Sequence, residues 1–245
     1  TFFMQKIYPI KYPKLSDSYW VRGFCFFLTT LFYACSSLDS TELQPSILST
    51  RDYLMQEKGQ FCVFSVHQIS YTLNQKATES LFFEKHIVID SPNDEGVLVA
   101  IFRKNQENTN WIETGRKLVV LQSGKIIEIQ SNQTQCILVN PIEVGTRWNF
   151  QLYNPTKAQQ AQITRFLPPM TYSHKTMSNL IEVELFKDSS ALSLQKKQVF
   201  FAPNFGIVFS KESNVSYCYE GNCLGKGQIN YGTIITYELI DYGKE

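Results

Sequence analysis

Gln60-Phe-Cys-Val-Phe-Ser-Val-His-Gln-Ile-Ser-Tyr-Thr-Leu73 alternates with a period of two, and both of the resulting faces carry apolar side chains. A period of two belongs to a β-strand, and apolar residues on both faces place that strand where neither side is fully solvated. The runs that follow have the same character, being short, bounded by turn residues and rich in Val, Ile, Tyr, Phe and Thr. Strands are expected over 81–90, 96–104, 116–122, 147–153, 158–166, 180–186, 198–202, 205–211, 215–219 and 231–242. Between Leu118-Val-Val-Leu121 and Ile126-Ile-Glu-Ile129 stand Ser123 and Gly124, a compact hairpin signal in which glycine supplies the unusual φ. Only Thr50–Gln56 offers a short helix. About a dozen strands with so little helix give an all-β fold with a curved antiparallel sheet, arranged as an open barrel or a sandwich, and exclude α/β.

The chain has 245 residues, enough for one or two packed domains, with 23 Lys+Arg against 22 Asp+Glu. A net charge of +1 gives no cation excess for counterion release, so a nucleic-acid partner is not expected. Three histidines leave little room for metal or acid–base chemistry.

Ahead of the β-rich region, Lys6, Lys11, Lys14 and Arg22 precede an uncharged run from Gly23 to Ala34 that ends at Cys35. Basic residues followed by a short apolar run and a small residue are the order of a secretion signal. The run is too short to cross about 30 Å of hydrocarbon, which needs about 20 residues. Its end resembles a bacterial lipobox, which implies lipidation of Cys35 by acyl chains of the palmitate type. Phe32 stands where that pattern favours Leu. Cleavage without lipid and a buried apolar helix explain the same run. The expected organisation is a signal peptide over 1–34, a lipid anchor and polar tether over 35–49, and a β domain over 50–245. Two similar halves, about 50–135 and 136–245, are one arrangement of that domain. Losing 1–34 removes those four cations and Asp17, which leaves 19 cationic against 21 anionic side chains. Attachment to a membrane would then rest on the acyl anchor at Cys35 and not on a basic surface.

Export would permit disulfides. Cys218 and Cys223 flank the turn residues Gly221 and Asn222 and can meet across a tight loop. Cys62 and Cys136 are candidates for a second bridge, with buried free thiols as the alternative. No second cysteine pair or histidine pair completes a zinc set, so no metal and no cofactor is expected.

Three segments, Pro141-Ile-Glu-Val-Gly-Thr-Arg-Trp148, Phe200-Phe-Ala-Pro-Asn-Phe-Gly-Ile-Val-Phe-Ser-Lys211 and Tyr237-Glu-Leu-Ile-Asp-Tyr242, resemble in order and spacing a widespread group of bacterial envelope lipoproteins. The chain departs from that group at Ser173-His-Lys-Thr-Met-Ser-Asn179. The resemblance implies long curved antiparallel strands, similar to the half-barrels of the Lol-type lipoprotein carriers, and implies no catalytic residues. Because Ser36 follows the cysteine, it implies an outer-membrane location facing the periplasm or the cell surface. As structure, Gly145 allows a turn that delivers Trp148 to the core, while Pro203 and Gly206 bend the chain between two strands.

Catalytic signals are lacking. No Gly-x-Ser-x-Gly selects a nucleophile for His67, His86 or His174. Gly221–Lys226 is too short for a phosphate loop and has no helix after it. Asp90–Gly96 gathers carboxylates without the spacing of a calcium loop. The functional expectation is a non-enzymatic, lipid-anchored envelope module that binds a protein partner. The alternative is a carrier that holds a hydrophobic ligand or lipid in the concave side of the sheet, motivated by 18 Phe and 13 Tyr.

Overall fold

The computed structural model describes residues 48–73, 77–93, 96–152, 159–223 and 225–245. The readings on 1–47, including the signal, Cys35 and most of the tether, lie outside the described residues, as does part of the Asp90–Gly96 loop.

A single turn of 3-10 helix, η1 (Thr50–Tyr53), replaces the two-turn helix expected there. The strands are β1 (Gln60–Tyr71), β2 (Thr78–Asn93), β3 (Gly96–Asn105), β4 (Ile112–Gln122), β5 (Lys125–Gln130), β6 (Gln133–Val139), β7 (Arg147–Asn149), β8 (Gln160–Leu167), β9 (Met170–Tyr172), β10 (Lys175–Met177), β11 (Leu180–Ser189), β12 (Ser193–Ala202), β13 (Gly206–Tyr217) and β14 (Ile229–Lys244). Twelve form one antiparallel sheet in the order β6-β5-β4-β3-β2-β1-β14-β13-β12-β11-β8-β7. Of the arrangements left open by the sequence, a single curved sheet is the one found, and the sandwich is not. Where the sequence suggested separate strands over 205–211 and 215–219, β13 is continuous. The segment around Ser173 is a small hairpin, β9–β10, with Ser173 and His174 at positive φ in its turn.

Most neighbours in the sheet are neighbours in sequence, and the first and last strands pair, Gln60 opposite Lys244 through Tyr71 opposite Gly232. Register shifts interrupt most of the ladders, among them Val63/Phe64, Ile101/Phe102, Ile126/Ile127 and Phe200/Phe201. Each such bulge adds local twist, and repeated around a sheet they curl it.

The curl brings the two outer edges together. Across that junction the Cys136 N–H donates to Phe150 O at 2.9 Å, and the Trp148 indole Nε1–H donates to Cys136 O at 2.8 Å. Trp148 is therefore half-buried at the closure and packs against the core from there. Gly145, at φ +95°, makes the turn just before it and donates its N–H to Ile163 O at 2.9 Å.

One end of the barrel is plugged by η1. Tyr53 is almost fully buried and its hydroxyl donates to Asn179 O at 2.8 Å, while the Thr50 N–H donates to the Asn140 side chain at 3.0 Å. The turn through Pro203 and Gly206 closes over the same residues, with the Asn204 N–H donating to Asp52 O at 2.6 Å. Ser49 caps η1 by donating from its N–H and its hydroxyl to Asp52 Oδ2. Around this plug the largest buried cluster joins β2–β6 to β8, β11 and β12 through Val88, Val99, Ile126, Leu138, Ile163, Val183 and Phe201. A second cluster gathers Cys62, Phe64, Val66 and Leu239 with Tyr172 and Met177 of the β9–β10 hairpin.

Candidate functional site

The barrel encloses a cavity of about 500 Å³, within the range of small-molecule sites, which run from about 300 to 1,000 Å³. Its lining changes character along the barrel. Inward positions recur every second residue of a strand, so each strand samples successive levels of the interior. From the plugged end outward, β3 presents Val97, Val99, Ile101 and then Arg103. On β5 the series is Ile126, Glu128, Gln130, and on β4 it is Val119, Lys117, Gly115. Phe201 and then Lys197 come from β12, and Ile207, Ser210 and Glu212 from β13. The floor, with Tyr53 and Leu54 of the plug segment, is apolar, and above it lies a belt of charge.

Three carboxylates and three cations make up the belt, together with His86. Glu84 is almost fully buried, with both oxygens occupied: His86 Nε2 lies 2.8 Å from Oε1, and Arg103 Nη2 donates to Oε2 at 3.1 Å. Lys117 Nζ donates to Glu128 Oε2 at 2.8 Å, and Lys197 pairs with Glu212 at 3.0 Å. Arg103 also stacks over the Phe82 ring at 4.2 Å. The belt spans the interior, because Glu128 on β5 feels the charge of Lys197 on β12, seven places away in the sheet order.

Protonation states follow from this arrangement. Burial pulls His86 below its ordinary value and the charge of Lys117 lowers it further, beyond what Glu84 and Glu128 restore. At neutral pH His86 is therefore a neutral imidazole whose Nε2–H donates to Glu84. Burial works to raise Glu84, but the contacts from His86 and Arg103 together outweigh it and hold the carboxyl below the usual range. Glu128 is held low in the same way, with Lys117 overriding burial. Burial, then the charge of Glu84, pushes Tyr237 up to about 12, so its hydroxyl remains a neutral donor.

The sequence-derived candidates fall elsewhere. Cys218 and Cys223 are joined in a disulfide at the tip of the β13–β14 hairpin, Cα atoms 5.8 Å apart. Cys62 and Cys136 do not pair and are free, buried thiols. They sit on strands β1 and β6, at separate places in the sheet, and their sulfurs face Met55 and Leu138 O respectively. Burial pushes them up to about 12 and about 11. His67 is exposed beside Glu79 and His174 lies in the β9–β10 turn, so no histidine pair forms. Among the described residues no group of three or more His, Cys, Asp or Glu can hold a metal ion. No described helix is long and apolar enough to cross a membrane.

Sequence reasoning missed the belt. Its signal was present as charges sharing the parity of buried apolar residues within one strand, as in Val97-x-Val99-x-Ile101-x-Arg103 and Ile126-x-Glu128.

No family model matches the chain, and no curated protein matches it. Among solved structures, a crystal structure of a candidate lipoprotein from Parabacteroides distasonis ATCC 8503 is similar over 78% of this chain and 98% of that one, with 11% identity and a TM-score of 0.43. A likeness at that level carries neither fold nor function across, and the architecture rests on the ladders and the closure described above.

Proposed function

We propose that this chain is a binding module of the cell envelope that holds an amphiphilic small molecule inside its barrel. The observation that carries this reading is the layered cavity, an apolar floor of Val97, Val99, Val119, Ile126 and Phe201 beneath a belt of charged and hydroxyl-bearing side chains. Apolar surface receives a hydrocarbon chain without directional bonds, and polar groups at one level fix its orientation. A barrel with a filled core would have removed the carrier alternative raised by the sequence, and this interior is not filled.

An envelope location is supported by the basic-then-apolar order of residues 6–34 and by the Cys218–Cys223 disulfide, which suits an oxidising compartment. Lipidation of Cys35 and a place at the outer membrane belong to the same reading. The scaffold alternative, in which the module binds a protein partner, is favoured by exposed Leu73, Leu192 and Tyr219 on connections at the unplugged end and by exposed Ile112 at the start of β4 there.

Native mass spectrometry of the purified protein, compared with its denatured spectrum, tests the ligand reading. A small molecule released only on denaturation, or displacement of an apolar fluorescent dye by long-chain amphiphiles, is the expected result. An interior that binds no amphiphile, with a protein partner recovered by envelope crosslinking, would turn the assignment to the scaffold.

A further inference from the structure

The belt leaves hydrogen-bond donors uncommitted although it is balanced in charge. Both oxygens of Glu84 are taken by His86 and Arg103, and Glu128 and Glu212 each accept from a lysine. On the donor side, Lys117 and Lys197 each commit to a single carboxylate, and an ammonium has further N–H groups to give. Ser210 is only 9% exposed, lines the cavity, and its hydroxyl has no hydrogen-bond partner among the described residues. The Tyr237 hydroxyl is likewise without one. These two residues are direct partners in the β13–β14 register, so their side chains share one face of the sheet, and Lys197 and Glu212 are partners on the neighbouring β12–β13 ladder. Both hydroxyls open onto the cavity, where an acceptor held in it can take their hydrogen bonds.

We propose that the polar end of the ligand is an oxyanion, a carboxylate or a phosphate, received at the belt by Lys117, Lys197, Ser210 and Tyr237. This rests on reading the cavity as an amphiphile site. An oxyanion is acceptor-only and therefore matches the donors these four side chains leave free, and hydrogen bonds between a charged acceptor and such donors are stronger than neutral ones. A cationic head would find both oxygens of Glu84 taken and only the second oxygens of Glu128 and Glu212 open, each carboxylate already paired with a lysine. The hydrocarbon chain then runs down among Val99, Val119 and Phe201 toward the η1 plug.

The test uses the protein cleared of bound lipid and four probes that share one dodecyl chain: dodecanoate, dodecyl phosphate, dodecanol and dodecyltrimethylammonium, each below its micelle concentration and measured by calorimetry. The expected order is an anion first, at least about tenfold tighter than the alcohol, with the ammonium weakest. Comparing dodecanoate with dodecyl phosphate distinguishes a fatty acid from a phosphorylated lipid as the source of the head group. Equal binding of all four, or preference for the alcohol or the ammonium, overturns the oxyanion assignment and leaves the amphiphile reading standing. Binding of none overturns both. A paired variant, Ser210→Ala with Tyr237→Phe, removes two hydroxyls and leaves every ion pair intact. It is expected to lose about tenfold in affinity for the anionic probe while the ammonium is unaffected and the thermal midpoint is kept. An unchanged anion affinity in that folded variant would count against the belt as the receiving site.

Discussion

The two ends of the interior are built from different interactions. At the plugged end, apolar side chains pack against η1, and the polar contacts that tie it to the barrel involve the backbone: Tyr53 to Asn179 O, Asn204 N–H to Asp52 O, Asn140 to the Thr50 N–H. At the belt the contacts are between side chains, ion pairs that occupy the carboxylates while hydroxyls stay unpartnered. Backbone hydrogen bonds and packed hydrocarbon stabilise a fold whatever the cavity contains. Buried charges paired only with one another contribute little net stability over an apolar filling of the same volume. Folding free energy is thus concentrated at the floor, and the belt is where chemical selectivity is available.

Truncating the floor should therefore have the largest effect on folding. Phe201→Ala removes a fully buried ring between Ile181 and the cavity and is expected to destabilise the protein by about 3–5 kcal/mol, read as a lower urea midpoint. A loss below about 1 kcal/mol would mean that the floor collapses freely and would erase the contrast between the ends. At the belt, Glu84→Ala leaves the His86 N–H without its acceptor in a buried place, while half-exposed Arg103 regains water. The expected loss is about 1–3 kcal/mol, the cost of one stranded donor. A loss matching that of the floor substitution would show that the belt carries the fold as well.

The fold was legible because alternation, turn residues and the absence of helical stripes all act locally. Ser123-Gly124 is the turn the sequence indicated, with both residues at positive φ, and Gln60–Leu73 and Gly96–Lys104 match β1 and β3 to within two residues. Closure was not legible, because it depends on Cys136 and Phe150 meeting at the end of a curl summed over many bulges. The belt was hidden for a different reason. A charge in a strand reads as a solvated position, and only the knowledge that β2–β5 and β12–β13 surround one space turns Glu84, Lys117, Glu128 and Lys197 inward. Gly232 was silent as well. It stands at φ +123° opposite Val215 in the β13–β14 ladder, and a Cβ there would lie 2.2 Å from Asn214 O.

Acid distinguishes the ends without a substitution at the floor. His86, Glu84 and Glu128 are all lower in the folded protein than in the unfolded chain. The unfolded state therefore binds more protons, and stability rises with pH. The contribution of His86 is complete above its unfolded value of about 6.5 and is lost as pH falls through its folded value. The carboxylates keep theirs above about 4.3 and lose it as pH falls further. Urea midpoints should decline in two stages on acidification, and His86→Gln should flatten the first stage while leaving the second. A first stage that survives His86→Gln would assign the proton uptake elsewhere.

The smallest expected effect lies at the junction that links the two ends. Trp148→Phe keeps an aromatic ring against the core but removes the indole N–H that donates to Cys136 O, leaving the Cys136–Phe150 backbone bond as the neighbouring contact. The carbonyl is near the edge of the sheet and can take a water, so about 1 kcal/mol is expected, the net value of one hydrogen bond. Hydrogen exchange gives the sharper reading. If closure is local, protection should fall at the Cys136 and Phe150 amides and remain unchanged at Val66 and Leu239 on β1 and β14, the strands farthest from the junction in the sheet order. A uniform loss across the sheet would mean that the curl is held by this single point of closure, and the division of labour between floor and belt would then depend on a third region.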